Sequence, residues 1–462
     1  MTDVPWQGDA CSLVDAFRTG ERSPVEELDA TLAAIEHSEL NAFSFVEPDG
    51  ARDAAARADV HAAFGGVPVG VKELDAVAGW PKTEASVPLK DRVAARDSVF
   101  VERVRAAGAV LTGLTTSSEF GGVNLTRTNL NGVTRNPWQL DRTPGGSTGG
   151  GAAAVAGGVV TIGTGGDGGG SIRIPSGFTG LFGLKCTYGR VPKGPDMCVG
   201  SLTAVLGCVS RSVRDSARFM DVTNGFDQRD PYSLARVDGW ESDLGTRELR
   251  GKRAVIAPDL GVAVVHPEIT EMVVAHGEDL ARDAGLELVD LRVKLPELGY
   301  EWALSGLSEV LAILGDRYPD CEPDLTLEIG FGLKVATDVY NLEARARIEN
   351  RRTAMNEALA DLFDQVDFVI AATNPDVAFA AEGPLPTKVG DRQAELGNNG
   401  ALTIPANVFG SPAVSIPIGT TRGLPVGMQV LGRHHEEPLL LDLALTAERE
   451  RPWPLVAPGS PV

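Results

Sequence analysis

The chain has 462 residues, 43% of them hydrophobic, and 63 acidic against 42 basic side chains give a formal net charge of −21. That is ample material for a large buried core, and an acidic surface repels phosphate backbones and anionic lipid, which argues against direct nucleic-acid or membrane partners. The five cysteines (Cys11, Cys186, Cys198, Cys208, Cys321) are odd in number and widely spread; with no CxxC and no zinc-ligand spacing they read as reduced thiols of a cytoplasmic protein that holds no metal.

The chain opens Met1-Thr2-Asp3-Val4-Pro5, with no basic-plus-apolar signal, and no uninterrupted apolar run reaches membrane-spanning length. Residues 1–60 read as helical. Ser23-Pro24-Val25-Glu26 is a capping box with proline at the first helical position, followed by Leu28, Leu32 and Ile35 at helical spacing. A short apolar run, Val67–Val71, predicts a strand that ends on Lys72. Asp97–Ala107 predicts an amphipathic helix stopped by Gly108, and Ala109–Leu111 starts a strand.

Further along, Gly151–Ala156 predicts a close-packed helix of small residues and Val159–Gly163 a buried strand. Ser212 opens a capped helix that ends at Asn224-Gly225. Arg253–Ala257, His266–Ala284 and Leu286–Leu291 form a strand–helix–strand unit. Asp367–Ala372 and Ser411–Ile418 are further strands, and Pro438–Glu450 is a closing helix. This alternation, with no linker splitting it, predicts an α/β layered fold. Residues 296–400 carry the weakest strand signals and read as helices and loops laid over one edge, where specificity often resides.

Two glycine clusters each hold a serine: Gly145-Gly146-Ser147-Thr148-Gly149-Gly150 and Gly168-Gly169-Gly170-Ser171. Serines preceded by residues without side chains can bring a substrate carbonyl against bare backbone N–H groups, as acyl transfer requires. Two other readings are weaker. Gly145–Gly149 fits the G-x-S-x-G hydrolase elbow, but an irregular loop (136–144) precedes it where a strand is needed. The downstream histidines, His266, His276, His434 and His435, sit on helices or in a surface-like run. Gly163–Gly168 fits G-x-G-x-x-G, but the fingerprint needs a helix starting there, Pro175 arrives only seven residues later, and no acidic strand end follows about 20 residues on. Tight helix–strand packing explains Gly157, Gly158 and Gly163, but poorly explains three glycines in a row before Ser171.

Taken together, Lys72, Arg135–Trp138, Pro144–Gly150, Asp167–Pro175, Gly180–Lys185 and Gly423–Gln429 resemble the amidase signature family of serine amidohydrolases, over about residues 10–450 and most densely at 64–225. The resemblance implies one large α/β/α layered domain around a mixed sheet, spanning 1–462. Within it lie a helical lead (1–62), a signature core (63–235), a variable substrate-covering region (296–400) and a segment completing the core with a C-terminal helix (401–462). It further implies a catalytic Ser–cis-Ser–Lys triad without a cofactor. Ser171 would be the nucleophile, Ser147 the bridging serine on a cis peptide and Lys72 the base. The N–H groups of Gly168, Gly169, Gly170 and Ser171 would form the oxyanion hole, with Thr148, Asp167 and Arg173 in support. The sequence departs from the family in Thr148 for serine, in Gly166 and Gly168 where side chains are usual, and in Ala372-Thr373 for Pro-Thr. The extra glycines are expected to loosen the oxyanion loop, and Ala372-Thr373 to alter the leaving-group side of the pocket.

A lysine is a base only when neutral, and burial favours the neutral amine. The expected activity is hydrolysis of a small neutral amide, cyclic amide or carbamate through an acyl-enzyme. The alternatives are the glutaminase component of a tRNA-dependent amidotransferase, whose partner would hold the RNA, and a catalytically silent binding scaffold. Oligomeric state carries no motif, and a homodimer stays open.

Overall fold

A computed structural model of the chain describes residues 4–195 and 201–461. Its centre is an eleven-stranded sheet. Across the sheet the strands run Phe43–Val46, Val110–Thr115, Pro68–Lys72, Ile162–Asp167, Val205–Ser210, Phe182–Lys185, Ala413–Thr421, Leu424–Gly432, Phe368–Ala372, Arg253–Ile256 and Glu287–Leu288. Pro68–Lys72 lies parallel to both of its neighbours, as does Arg253–Ile256 to its own. The strands between these flanks pair antiparallel, which makes the sheet mixed. Helices cover both faces, as expected of the α/β/α class.

The strand residues explain this burial. Pro68–Lys72 and Phe368–Ala372 are buried at every position, so they read as continuous apolar runs rather than alternating ones. Val67, Val69, Val71, Leu111, Leu114 and Ile162 join one core with Phe368, Val369, Ile370, Val414 and Val430. The helices Pro24–His37 and Val213–Thr223 follow their predicted caps. Ser23 and Glu26 form the reciprocal capping box of Pro24–His37. Ser212 caps Val213–Thr223 through the Asp215 N–H, and His266 caps Pro267–Ala284.

Several boundaries differ from expectation. A short edge strand, Phe43–Val46, interrupts the helical lead and pairs antiparallel with Val110–Thr115. The strand expected over 159–163 instead runs Ile162–Asp167, because its glycines pair in register with Val205–Ser210. The strand expected over 286–291 shrinks to Glu287–Leu288. Residues 296–400 supply the helices Gly299–Leu314, Leu327–Val339 and Leu342–Gln365, and they also contribute the interior strand Phe368–Ala372. Cys11, Cys186, Cys208 and Cys321 are free thiols; Cys198 lies outside the described residues. Among the described residues no helix is long and apolar enough to cross a membrane, and no three His, Cys, Asp or Glu side chains are grouped to hold a metal ion.

Candidate active site

The parallel strands Pro68–Lys72 and Ile162–Asp167 lie side by side and end at the same edge of the sheet. Open α/β folds bind ligands beyond the carboxyl ends of such strands. Lys72 is the last residue of one strand, and Asp167 of the other leads directly into Gly168–Ser171. Ser147 and Thr148 arrive from the N-terminus of the helix Gly149–Ala156, which packs beneath both strands. That approach needs small residues: a Cβ on Gly150 would stand 2.4 Å from the Thr116 backbone nitrogen.

Lys72 is 3% exposed, and its Nζ lies 2.7 Å from Ser147 Oγ and 3.1 Å from Thr148 Oγ1. The Gly146–Ser147 peptide is cis. Thr148 Oγ1 in turn donates to the Gly166 carbonyl at 3.4 Å, which leaves it an acceptor toward the lysine. A neutral amine donating one N–H to Thr148 thus keeps its lone pair for the Ser147 hydroxyl. Burial pushes the Lys72 pKa down to about 8, against the opposing charges of Asp75, Asp167 and Glu73. The free amine is therefore far more populated near neutral pH than for a lysine at its ordinary value.

The Asp167–Ser171 backbone is held by its carbonyls. The Asp167 carbonyl accepts from Asn407 Nδ2 at 2.8 Å, that of Gly168 from the Trp302 indole N–H at 2.8 Å, and that of Gly169 from Thr403 Oγ1 at 2.6 Å. The Gly170 carbonyl accepts from the Ile174 N–H at 2.7 Å and that of Ser171 from the Thr148 N–H at 3.3 Å. The last bond sets the two serine-bearing segments side by side. Gly170 takes φ 122°, a conformation that favours glycine. The N–H groups of Gly168, Gly169 and Ser171 have no partner among the described residues. That of Gly170 does: it donates to Asp167 Oδ1 at 2.8 Å. Of the four N–H groups expected to act together, that of Gly170 is therefore engaged within the loop.

Asp167 and Arg173 are fully buried and paired at 2.9 Å. Asp167 also accepts from the N–H groups of Gly170, Ile172 and Arg173, while Arg173 reaches Asn407 Oδ1 at 2.6 Å and Gln429 Oε1. The looseness expected of the extra glycines is thus countered by side chains from elsewhere in the chain. The Ser171 hydroxyl itself bonds to no described residue.

Sequence reasoning missed Trp302, Thr403, Asn407 and Gln429. Each is neutral and lies outside the glycine clusters, so no local pattern marks them. Gln429 stands in a segment that carries the resemblance, without an implied role. Thr373 and Asn374 are buried; Thr373 Oγ1 bonds Ser415 Oγ on the strand Ala413–Thr421 at 2.9 Å, and Asn374 Nδ2 donates to the Ile174 carbonyl at 3.2 Å, bracing the helix Arg173–Thr179. The histidines of the elbow reading are engaged elsewhere, His434 on the Phe409 carbonyl and His276 on that of Met272. Gly163–Gly168 runs along and just past a strand rather than opening a nucleotide-binding helix. A surface cavity lined by Arg214, Asp221, Glu241, Leu244, Leu445 and Arg449 includes none of the residues around Lys72.

The site thus sets a buried lysine on a serine hydroxyl and a glycine loop with free backbone donors at one end of a mixed sheet. The chain belongs to the Amidase family, whose model matches residues 26–441, and it is an enzyme of the class that cleaves carbon–nitrogen bonds. It is 34% identical to a glutamyl-tRNA(Gln) amidotransferase subunit of Roseiflexus sp. (strain RS-1), covering 97% of each chain. Among solved structures it is similar to a bacterial aryl acylamidase of the amidase signature family (TM-score 0.89, 27% identity, 97% of each chain). A 6-aminohexanoate cyclic dimer hydrolase superposes with TM-score 0.86 at 27% identity, over 98% of this chain and 99% of that one. The corresponding glutamyl-tRNA(Gln) amidotransferase subunit of Thermotoga maritima superposes with TM-score 0.78 at 26% identity, over 94% of each chain.

Proposed function

We propose that the protein is a stand-alone hydrolase of small neutral amides, working through an acyl-enzyme on Ser171 with Ser147 as proton bridge and Lys72 as base. The observation that carries this reading is the 2.7 Å contact between Ser147 Oγ and a buried lysine whose pKa is pushed to about 8. The amine takes the Ser147 proton as Ser147 takes that of Ser171, and the Ser171 oxygen bonds to the substrate carbonyl carbon. The carbonyl π pair moves onto oxygen, where the Gly168, Gly169 and Ser171 N–H groups stabilise it. Collapse breaks the C–N bond, the relayed proton leaves with the amine, and water releases the acid by the same route. Thr148 holds the amine, while Asp167 and Arg173 hold the donor loop.

The close superposition on an aryl acylamidase and a 6-aminohexanoate cyclic dimer hydrolase supports an uncharged aryl or cyclic amide, and alkyl amides and carbamates belong to the same proposal. A second reading, the glutamine-hydrolysing component of a tRNA-dependent amidotransferase, is favoured by full-length relatives of that name. Assay of the purified chain separates the two. Hydrolysis of neutral amides by the protein alone supports the first; glutaminase activity that rises only when partner proteins are added supports the second. Ser171→Ala is expected to abolish turnover and fluorophosphonate labelling. A wild-type chain that neither turns over an amide nor labels at Ser171 would be a silent scaffold.

A further inference from the structure

The Gly168–Gly169 peptide differs from its neighbours in how it is held. The Gly169–Gly170 unit is fixed at both ends, its carbonyl by Thr403 and its N–H by Asp167. The Gly168–Gly169 unit has one hydrogen bond among the described residues, from Trp302 Nε1 to the Gly168 carbonyl at 2.8 Å. Carbonyl and N–H point in opposite directions across a trans peptide, so a carbonyl drawn toward Trp302 turns the Gly169 N–H the other way. The indole ring also lies against Gly169, where a Cβ would stand 2.5 Å from its Cζ2. Two residues without side chains rotate at little steric cost. Released from Trp302, this peptide is free to turn over and present an oxygen where a donor is needed.

We propose that Trp302 is a positioning residue for the oxyanion site, fixing the Gly168–Gly169 peptide so that its N–H faces the reacting carbonyl. The inference rests on the amidase reading above. It assigns a kinetic role to the helix Gly299–Leu314, which carries Trp302 in its first turn. The residue acts on the transition state, where charge gathers on oxygen, and little on the bound ground state.

The test compares wild type with Trp302→Phe, and with a protein in which Trp302 is replaced by its benzothiophene isostere. The isostere keeps the bicyclic ring and deletes the N–H, so it serves if Trp302→Phe does not fold. Loss of one oxyanion donor typically slows turnover by about 100-fold or more, so a donor that is misaimed part of the time is expected to lower kcat about tenfold or more. KM is expected to stay within about twofold and the pH of the Lys72 limb to stay put, as for an interaction made in the transition state. Affinity for a trifluoromethyl ketone, which forms a tetrahedral adduct on serine, is expected to fall by the same factor as kcat/KM. Wild-type kcat in the isostere protein, a loss confined to KM, or a loss of kcat with undiminished ketone affinity would overturn the proposal. Wild-type turnover and labelling at Ser171 report on the amidase reading separately; their absence would remove that reading and this inference together.

Discussion

Arg173 and Asp167 form a salt bridge, Nη2 to Oδ1 at 2.9 Å, in which neither side chain is exposed. Burial alone would raise the Asp167 carboxyl, but the Arg173 charge and the hydrogen bonds from Arg173 and Asn407 override it and hold the group well below the ordinary carboxylate range. A depressed folded pKa contributes stability above the unfolded value near 3.8, and loses it as pH falls toward the folded one. Removing one partner of a buried pair strands the other charge, at a cost of about 3–5 kcal/mol. Arg173→Met is therefore expected to lower unfolding free energy by about that much in urea titrations at pH 7. Without Arg173 burial raises the Asp167 carboxyl, so the gap should begin to close above the unfolded value near 3.8 and go on closing as the pH falls below it.

Activity should follow the free amine of Lys72. Because burial lowers its pKa to about 8, kcat/KM is expected to rise with pH through an apparent pKa near that value when chemistry limits the rate. Asp75 is the foremost charge opposing the shift, and its own carboxyl is pushed up to about 6 by burial. Asp75→Asn removes a negative charge that stabilises the ammonium, so the acid limb should move to lower pH. An unmoved or upward-moved limb in pH–rate profiles would count against Lys72 as the base.

Gly166 leaves room for a methyl group beside Lys72. A Cβ there would meet Leu206 at 3.5 Å and Lys72 Nζ at 4.0 Å, ordinary contact distances. Gly166→Ala is expected to stabilise the protein by about 0.4–1 kcal/mol, chiefly by restricting the unfolded chain. Its methyl group further excludes water from the amine, so the acid limb should shift slightly downward as well. Thermal unfolding and a pH–rate profile on the same preparation read both effects.

Gly150 is the opposite case. Its absent Cβ makes room for the backbone nitrogen of Thr116, and its own N–H donates to the Thr116 carbonyl at 2.9 Å. Gly150→Ala must push the helix Gly149–Ala156 away from this contact, at a cost of about 1–3 kcal/mol. Displacement of that helix also moves Ser147 and Thr148, so turnover is expected to fall with stability. Denaturant midpoints and kcat measured together check the coupling.

The residues that announce themselves in the sequence are those with local signatures. Lys72 closes an apolar strand, Ser147 and Ser171 sit in glycine clusters, and capped helices begin where Ser23, Ser212 and His266 place them. The Ile162–Asp167 strand escapes local reading because Gly163, Gly165 and Gly166 have no strand propensity of their own; cross-strand pairing with Val205–Ser210 decides it. Phe43–Val46 is lost among helices for a similar reason, being a short edge strand defined by its partner. Asn407 binds a carbonyl 240 positions earlier and Trp302 one 134 positions earlier, and such pairings leave no trace in spacing. The commitment of the Gly170 N–H to Asp167 is equally invisible, since a run of glycines does not say which amides remain free.

The clamps on the Gly168 and Gly169 carbonyls come from Trp302 and Thr403, while both serines and the lysine lie in the first 171 residues. During synthesis the reactive groups thus leave the ribosome long before the parts that arm them. On the proposed reading the emerging chain would carry a dormant nucleophile, and hydrolytic competence would arrive only once the segments around Trp302 and Thr403 dock.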